Sequence, residues 1–154
     1  MVRRIDYKTE KLTADRLTEL TELDMRCFPE SPWGYDAFEK NMSNGYDSCL
    51  ICTGNDGRIW GYCIIRILDA AEILLIATDE KKRRMGIAES LMETAFDICE
   101  EKKVSDIFLE VREGNTAARR LYEKLGFSEI SRRKAYYSSP VEDAVIMQRS
   151  FTQA

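Results

Sequence analysis

The spacing of apolar residues changes repeatedly along the first half of the chain, and each change marks an element. Residues 2–8 predict a short strand. Apolar residues at helical spacing then predict a helix that Thr13 caps and that runs to about Arg26. A proline-containing loop over residues 28–34 and a short helix over residues 35–42 follow. The apolar stripe of the first helix consists of Leu17, Leu20, Leu23 and Cys27.

The next apolar runs predict an antiparallel meander. Residues 48–53 and residues 58–68 are rich in β-forming side chains, and the Asn-Asp-Gly sequence at residues 55–57 between them is a strong hairpin signal. Residues 72–78 are almost wholly apolar, which predicts a strand buried on both of its faces.

The second half of the chain alternates helices with strands. Its elements are a helix over residues 86–102, a strand over 106–111, a helix from the Asn115 cap to Gly126, and strands over 127–133 and 143–151. The helices carry apolar stripes, which are Ile87, Leu91, Ala95, Ile98 and Cys99 in the first and Ala118, Leu121, Tyr122 and Leu125 in the second. This order predicts an α/β (α+β) fold with a mixed sheet and helices on both faces. The length favours a single domain over residues 1–154.

The cysteines and the apolar runs limit the kind of protein. No apolar run approaches the roughly 20 residues that span a bilayer, and no apolar segment typical of a signal peptide follows the basic N-terminus. We therefore expect a cytoplasmic protein with no membrane partner and with reduced cysteines. Cys49 and Cys52 form a C-x-x-C pair, but residues three apart on a strand point to opposite faces. No second Cys or His pair completes a metal site, so we expect core thiols and no metal.

The absence of histidine restricts the available chemistry. It excludes Ser-His-Asp and Cys-His nucleophiles together with His-based metal sites. Acid–base catalysis must then use carboxylates, tyrosine, lysine, cysteine or water. The formal net charge of −4 is unlike that of a nucleic-acid-binding protein and suits a basic protein partner. Within this acidic chain, the residues from Lys81 to Arg84 form a run of four cations.

This basic run leads from an apolar strand directly into a helix whose first turn contains Gly86 and Ala88. A helix start has unpaired backbone N–H groups and a partial positive charge, and small residues let a phosphate approach the main chain. Nearby cations add long-range attraction. The pattern predicts a diphosphate site, although a solvated basic loop before a capped helix has the same composition.

Several ordered motifs give a specific resemblance to a known family. Arg83-x-x-Gly86-x-Ala88 resembles the Q/R-x-x-G-x-G/A acetyl-CoA signature of the GNAT acetyltransferases. Residues 109–127, LEVREGNTAARRLYEKLGF, are similar to the LEVR-x-x-N-x-x-A-x-x-LY-x-x-x-GF segment of the ribosomal-protein-alanine acetyltransferases, the RimI type of that family. The similarity covers nearly the whole chain, because it extends to CFPESPW at residues 27–33, RRKAYY at 132–137 and VEDAVIM at 141–147.

The resemblance implies the GNAT acyl-CoA N-acyltransferase fold, with a mixed, mostly antiparallel sheet, and it implies acetyl-CoA as the acetyl donor. In that family the strand before the signature pairs with the pantetheine arm, and the loop amides hold the pyrophosphate. The matching asparagine also contacts coenzyme A, although Asn115 is equally a helix cap. The implied acetyl-CoA site consists of Ile76, Ala77, Thr78, Arg83, Arg84, Met85, Gly86, Ile87, Ala88, Glu89 and Asn115.

The resemblance also implies that Glu110 is the general base. Glu110 shares a strand face with Phe108, and a carboxylate beside an aromatic ring near a sheet centre loses hydration, which raises its pKa. Such a carboxylate can accept a proton near neutral pH, directly or through a water. From the residues alone, an ion pair between Glu110 and an arginine at the strand end is the alternative.

The matching tyrosine of the family, Tyr122 in this chain, is implied to be the general acid that protonates the departing thiolate of coenzyme A. A phenol can donate to a thiolate when the site favours the transfer. An aromatic residue on an amphipathic helix is more commonly part of the core, and Tyr122 is open to that interpretation as well.

The implied reaction is direct transfer of the acetyl group to the N-terminal alanine of a ribosomal protein, with the strand backbone near Ala77 polarising the thioester oxygen. An α-amine has a pKa of about 7.7–8.0 and a lysine amine one of about 10.4, which favours an N-terminal acceptor. The loops over residues 28–35 and 134–141 are expected to select the acceptor, with Tyr136 and Tyr137 lining a peptide channel.

Two other functions stay open. An enzyme of the same fold could acetylate a small amine such as a polyamine, an antibiotic or a metabolite. A non-catalytic acyl-CoA-binding module predicts the loss of Glu110 or Tyr122, and both residues are present. A two-step route through a cysteine is disfavoured because no cysteine lies within the acetyl-CoA signature or within residues 109–127.

Overall fold

Four helices pack against the two faces of a seven-stranded sheet in the computed structural model, which describes residues 7–138 and 140–151. The strands are β1 (Tyr7–Lys11), β2 (Asp47–Gly54), β3 (Ile59–Ile67), β4 (Ala71–Thr78), β5 (Asp106–Arg112), β6 (Ser128–Tyr137) and β7 (Glu142–Ser150). The helices are α1 (Leu17–Cys27), α2 (Tyr35–Ser43), α3 (Ile87–Glu101) and α4 (Thr116–Lys124).

The sheet has the strand order β1-β2-β3-β4-β5-β7-β6. The neighbouring strands are antiparallel except for β4 and β5, which are parallel and are joined through α3. The predicted mixed, mostly antiparallel sheet with helices on both faces is therefore confirmed. Of the strand predicted over residues 2–8, only residues 7 and 8 lie within the described part, where β1 continues to Lys11.

The start of the first helix differs from the prediction that Thr13 caps it. The Thr13 side chain makes no capping hydrogen bond, and a single 3-10 turn over Ala14–Arg16 precedes α1. Tertiary contacts fix this turn instead, because the Arg16 guanidinium binds Glu19 Oε1 at 2.7 Å and the Gly57 carbonyl at 2.6 Å. The helix start is thus tied to the β2–β3 hairpin.

The sheet separates two apolar cores. One core lies under α1 and α2 and contains Leu20, Leu23, Phe38 and Tyr62, which are all buried. The other lies under α3 and α4 and contains the predicted stripe of α3 together with Tyr122 and Phe127. Each helix therefore has one face buried against its own side of the sheet.

The cysteines of the C-x-x-C pair lie in different cores, as the strand periodicity predicts. Cys49 belongs to the α1/α2 core, whereas Cys52, Cys63 and Cys99 belong to the α3/α4 core. All four are buried free thiols. Burial raises the pKa of Cys49 to about 12 and that of Cys52 and Cys99 to about 11, so these thiols are unreactive at neutral pH.

The prediction that residues 72–78 are buried on both faces is wrong. Glu72 is exposed, and the residues from Leu74 to Thr78 are only partly buried. The physical reason is that β4 pairs with β5 only over Ala71–Ile73. Beyond Ile73 the described strands diverge, and the edge of β4 that faces β5 is left open.

Gly61 lets α3 approach the sheet at this open end of β4. A Cβ atom at this glycine would lie 2.8 Å from the Ile87 side chain and 3.0 Å from the Ala77 carbonyl oxygen, closer than van der Waals contact allows. The first residue of α3 therefore packs directly against β3, next to the C-terminal half of β4.

Candidate active site

A cleft opens between β4 and β5 in the middle of the sheet. The last paired residues are Ile73 on β4 and Leu109 on β5. The pairing of β4 with β3 shifts at Leu74, which is an extra residue in β4, and such a bulge bends the strand that carries it. The predicted pantetheine contacts, Ile76, Ala77 and Thr78, all lie on this divergent segment. Their free backbone edge can accept an extended ligand as an additional strand.

The loop between β4 and α3 has the geometry of an anion site. Arg84 has a φ angle of 66° and Gly86 one of 81°, so left-handed residues flank Met85 at the start of α3. The backbone N–H groups of residues 84–89 have no hydrogen-bond acceptor among the described residues. Free N–H groups at a helix start, next to left-handed residues, suit the phosphates of an acyl-CoA.

The predicted coenzyme A contacts Glu89 and Asn115 also have partners within the protein. Glu89 Oε1 accepts an ion pair from Lys124 Nζ at 2.7 Å, which links the first turn of α3 to the last turn of α4. Asn115 Oδ1 accepts a hydrogen bond from Ala118 N at 3.2 Å, so its predicted role as a helix cap is confirmed. Its contact with coenzyme A stays a prediction.

The first three cations of the basic run, Lys81, Lys82 and Arg83, line one groove of about 980 Å³ that lies beside α1 and also includes Cys27 and Asp79. Within this groove the Lys82 ammonium lies 4.3 Å from the ring centre of Trp60, a cation–π contact.

Strand β1 contacts the same loop, a contribution that sequence reasoning missed. The Tyr7 hydroxyl donates to the Met85 carbonyl at 3.1 Å, and the Thr9 and Ser90 hydroxyls are 2.9 Å apart. These partners are 78 and 81 residues apart in the chain. No local pattern signals such a contact, because only the tertiary fold brings the edge strand to α3.

Glu110 is the first residue of β5 beyond the segment that pairs with β4, and its side chain projects from the face of the sheet opposite to that of buried Leu109. Its side chain is 26% exposed and lies 3.5 Å from the Arg133 guanidinium. The alternative predicted from the residues, an ion pair, is therefore present together with access to the cleft. Glu110 lines a pocket of about 400 Å³ with Leu68, Asp69, Ala70, Ala71, Glu72, Phe108, Leu109, Arg133 and Ile146.

The Arg133 side chain is 56% exposed, so it does not bury the Glu110 carboxylate with which it pairs. Exposed ion pairs contribute about 0–1 kcal/mol, so an incoming amine can displace this one at low cost. The carboxylate is thus held in place between binding events but stays available to a ligand in the pocket.

Tyr122 lies on the other face of the sheet, in the α3/α4 core. Its side chain is 7% exposed, and its ring contacts Phe127 edge-on at a centroid distance of 6.0 Å. Burial raises the pKa of the Tyr122 phenol, with smaller contributions from Cys63 and Tyr137. The hydroxyl makes no hydrogen bond to another described residue and remains protonated across the physiological pH range.

Tyr137 interacts electrostatically with both of these residues. Burial, followed by the charge of Glu110, raises the pKa of Tyr137, and Tyr137 contributes in turn to the raised pKa of Tyr122. The Arg112 guanidinium lies 4.3 Å from the Tyr137 ring centre and fixes its position.

The end of β6 is irregular where the peptide channel is predicted. Ala135 has a φ angle of 51°, and the pairing of β6 with β7 shifts between Arg133 and Tyr137. Tyr136 is 50% exposed, with the Arg133 guanidinium 5.4 Å from its ring centre. Arg133 of this irregular strand end lines the pocket that contains Glu110, and the Tyr136 ring lies against the same arginine.

Cys27 lies closer to the cleft than its place in the sequence suggested. Its Sγ atom is 3.8 Å from the Thr78 carbonyl oxygen, at the end of β4. Burial, with the nearby Asp79 charge as the next largest cause, raises the pKa of the Cys27 thiol. Because the nucleophile in a two-step route is the thiolate, this environment disfavours such a route.

An open strand edge, a helix start with free N–H groups and a partly exposed carboxylate at the end of the β4–β5 pairing together suit acyl transfer from an acyl-CoA. The chain belongs to the acetyltransferase (GNAT) family, which it matches over residues 17–127. It is accordingly an acetyl-CoA-dependent N-acetyltransferase.

Two relatives and one solved structure carry more specific names than the family does. The ribosomal protein bS18-alanine N-acetyltransferase of Escherichia coli is 35% identical over 119 residues, which is 75% of this chain and 79% of the relative. A Bacillus subtilis protein with the same name, given provisionally, is 39% identical over 119 residues, 76% of this chain and 78% of the relative. The crystal structure of the E. coli ribosomal-protein-S18-alanine N-acetyltransferase superimposes with a TM-score of 0.86 at 31% identity and covers 96% of both chains.

Solved structures with 15–23% identity share the fold, and among them is a Thermoplasma acidophilum N-acetyltransferase in complex with coenzyme A, at a TM-score of 0.77. Within residues 7–138 and 140–151, no helix is long and apolar enough to cross a bilayer. In the same ranges, no group of three Cys, Asp or Glu residues is arranged to hold a metal ion.

Proposed function

We propose that this enzyme acetylates the N-terminal α-amine of a ribosomal protein, and specifically the N-terminal alanine of ribosomal protein bS18 from the same organism. In this proposal Glu110 is the general base and Tyr122 is the general acid. The relatives that carry this activity in their names match three quarters of the chain at 35–39% identity. The match includes the E. coli structure, which aligns over nearly the full length.

The observation that carries the assignment of the two residues is the end of β4–β5 pairing at Ile73 and Leu109. Glu110 follows this point directly and faces the α1/α2 side, whereas Tyr122 lies on the α3/α4 side. In an intact sheet, backbone hydrogen bonds would separate these side chains. The cleft allows a thioester to lie between a base on one face and an acid on the other.

The acceptor amine would attack the acetyl carbonyl as a neutral nucleophile, and Glu110 would accept the proton that the nitrogen loses as the carbon–nitrogen bond forms. The Glu110 carboxylate lines a pocket over the paired ends of β4 and β5 and is held by an exposed arginine that an amine can replace. Because an α-amine has a pKa of about 7.7–8.0, a fair fraction is already neutral at pH 7.5, and positioning supplies much of the remaining rate.

Tyr122 would return a proton to the sulfur of coenzyme A as the carbon–sulfur bond breaks. The raised pKa of this phenol keeps it protonated at the pH of the reaction, which a proton donor requires. The free edge of β4 near Ala77 carries backbone N–H groups that can stabilise the oxygen of the thioester in the transition state.

The test is acetylation of synthetic peptides, followed by thiol release and by peptide mass. The peptides would be the first residues of the cognate bS18 beginning with free alanine, the same peptide with a blocked N-terminus, and a control whose only amines are lysine side chains. We expect a single acetyl group on the free N-terminus alone. Acetylation of lysine, or of none of the peptides while a polyamine is acetylated, would contradict the proposed acceptor.

The catalytic roles are tested with Glu110→Gln and Tyr122→Phe. Each should lower kcat by about 100-fold or more, the usual range for removing a general acid or base. Acetyl-CoA binding should persist in both variants. A matched control is Tyr46→Phe, because this exposed tyrosine lies just before β2 and outside the proposed proton path. A kcat within a few-fold of wild type for Glu110→Gln would contradict its role as base.

A further inference from the structure

A single buried aspartate closes the loop that connects α1 to α2. Asp24 has no exposed surface. Its main-chain carbonyl accepts a hydrogen bond from Phe28 N at 2.8 Å, and its carboxylate Oδ2 accepts one from Gly34 N at 3.1 Å. Phe28 and Gly34 are the first and last residues of the loop, so both ends are attached to one residue.

The second carboxylate oxygen of Asp24 connects this loop to the sheet. Its Oδ1 atom accepts a hydrogen bond of 2.7 Å from the Tyr62 hydroxyl, which projects from β3. No Lys or Arg in the described ranges forms an ion pair with Asp24. A buried carboxylate held only by neutral donors is costly in isolation, and an apolar cluster of the same shape can be equally stable. Stability alone therefore gives no reason for this residue.

Aromatic contacts place the loop on the same strand. The Trp33 ring lies 5.5 Å from Phe38, and Phe38 contacts Tyr62 edge-on at 5.9 Å. Tyr62 pairs in register with Ala77 on the divergent half of β4. Tyr62 of β3 thus contacts the loop in two ways, through the Asp24 carboxylate and through the rings of Phe38 and Trp33, and it lies directly beside the cleft.

We propose that Asp24 is a positioning residue for the acceptor substrate, holding the loop over residues 28–34 at a fixed height above β3 so that the loop forms one wall of the acceptor site. The inference rests on the proposed function and on the prediction from the sequence that the loop over residues 28–35 selects the acceptor. Asp24 lies on the α1/α2 side, away from the residues of the anion site on α3. Its loss should weaken acceptor binding and leave the donor unaffected.

The experiment compares Asp24→Asn and Tyr62→Phe with wild type. We expect the KM for the acceptor peptide to rise about tenfold in each variant, as the loss of a hydrogen bond to a charged group predicts, and acetyl-CoA affinity measured by calorimetry to stay within about twofold. The matched control is Asp36→Asn, which removes a negative charge just beyond the loop from an exposed side chain that makes no hydrogen bond to a described residue. The control should match wild type.

A second measurement reports on the loop itself and requires no acceptor. In a Trp60→Phe background, Trp33 is the remaining tryptophan of the chain, so its quenching by acrylamide measures the exposure of the loop. Asp24→Asn and Tyr62→Phe should both increase this quenching. Unchanged quenching, or equal loss of affinity for donor and acceptor, would overturn the proposal.

The two variants also separate a folding defect from a positioning effect. If Asp24→Asn fails to fold, Tyr62→Phe still removes one partner of the carboxylate while keeping the buried ring, and its acceptor KM decides the question. If wild type acetylates no peptide, the proposed function fails, whereas the Trp33 measurement still supports or overturns the role of Asp24 in holding the loop.

Discussion

Most of the proposed donor side of the molecule lies on one continuous stretch of chain, with Asn115 as the predicted exception, whereas the proposed acceptor side is assembled from several distant stretches. Residues 74–89 contain the free edge of β4, the anion loop and the start of α3. The proposed acceptor side combines the loop after α1, Glu110 on β5 and the irregular end of β6. A local motif can therefore predict most of the donor side, whereas the acceptor side depends on tertiary contacts.

The two sides also differ in how their geometry is fixed. On the donor side, backbone conformation dominates, with left-handed residues at Arg84 and Gly86 and free N–H groups behind them. On the acceptor side, side-chain contacts dominate, such as Asp24 with Tyr62 and Glu110 with Arg133. Donor binding should therefore be sensitive to backbone strain and acceptor binding to single side-chain contacts.

The largest expected effect concerns the buried thiols of both cores. Their pKa values are raised in the folded state, so folding favours the protonated form, and this stability is present below about pH 9 and is lost as the pH rises toward 11–12. The free energy of unfolding should fall by up to about 1.4 kcal/mol per pH unit for each thiol. Urea unfolding between pH 7.5 and pH 10.5 measures this fall.

Single substitutions compare the two cores in that experiment. Cys49→Ala removes the thiol of the α1/α2 core, and Cys63→Ala removes one from the α3/α4 core, where burial raises the pKa of the Cys63 thiol as well. Each should reduce the slope of stability against pH above pH 9 by a similar amount. An unchanged slope in either variant would show that the corresponding thiol already ionises in the folded protein.

The next effect tests whether backbone geometry controls donor binding. Gly86→Ala places a side chain at a φ of 81° and 3.1 Å from the Tyr7 hydroxyl. The free energy of unfolding should fall by about 1–2 kcal/mol, and the Kd for acetyl-CoA should rise about tenfold or more as the loop moves. Calorimetry and chemical denaturation measure the two quantities.

Gly57→Ala is the control for Gly86→Ala, because Gly57 has a φ of 79° but lies in the β2–β3 turn with open space around it. The strain is similar, so the loss of stability should be similar, while acetyl-CoA affinity should not change. Equal losses of affinity in both variants would contradict a local role for Gly86.

A smaller effect is expected from the contact between β1 and the anion loop. Tyr7→Phe removes the hydrogen bond to the Met85 carbonyl, and a single hydrogen bond of about 1 kcal/mol corresponds to about a fivefold increase in the Kd for acetyl-CoA. The KM for the acceptor should stay constant. Tyr46→Phe, an exposed tyrosine far from the loop, is the control. If Tyr7→Phe changed the acceptor KM and left the Kd for acetyl-CoA unchanged, β1 would contribute to the acceptor side and not to the donor side.

The smallest effect concerns the ion pair at Glu110. Arg133→Gln removes an exposed partner, so the acceptor KM should change by less than about fivefold and donor affinity should not change. Steady-state kinetics with both substrates varied measures this. A much larger loss of activity would show that Arg133 contacts the acceptor or takes part in catalysis.

The errors of the sequence predictions have a common cause. Residues 72–78 have the composition of a central buried strand, and nothing in that composition records that β5 leaves β4 after Ile73. Thr13 has a good capping side chain, but the contacts of Arg16 with Glu19 and Gly57 fix the helix start. In both cases a distant partner overrides a local preference.

Sequence by itself determined the order of elements, the cap at Asn115, the separation of Cys49 and Cys52 and the position of the anion loop, because each depends on neighbours within a few turns of chain. Tertiary structure decided the cleft at Leu74, the contact of the Tyr7 hydroxyl with the Met85 carbonyl, the arginine beside Glu110 and the attachment of the loop over residues 28–34 to Asp24. These contacts join residues from 10 to 78 positions apart, and the pairing of strands, which no short segment encodes, brings most of them together.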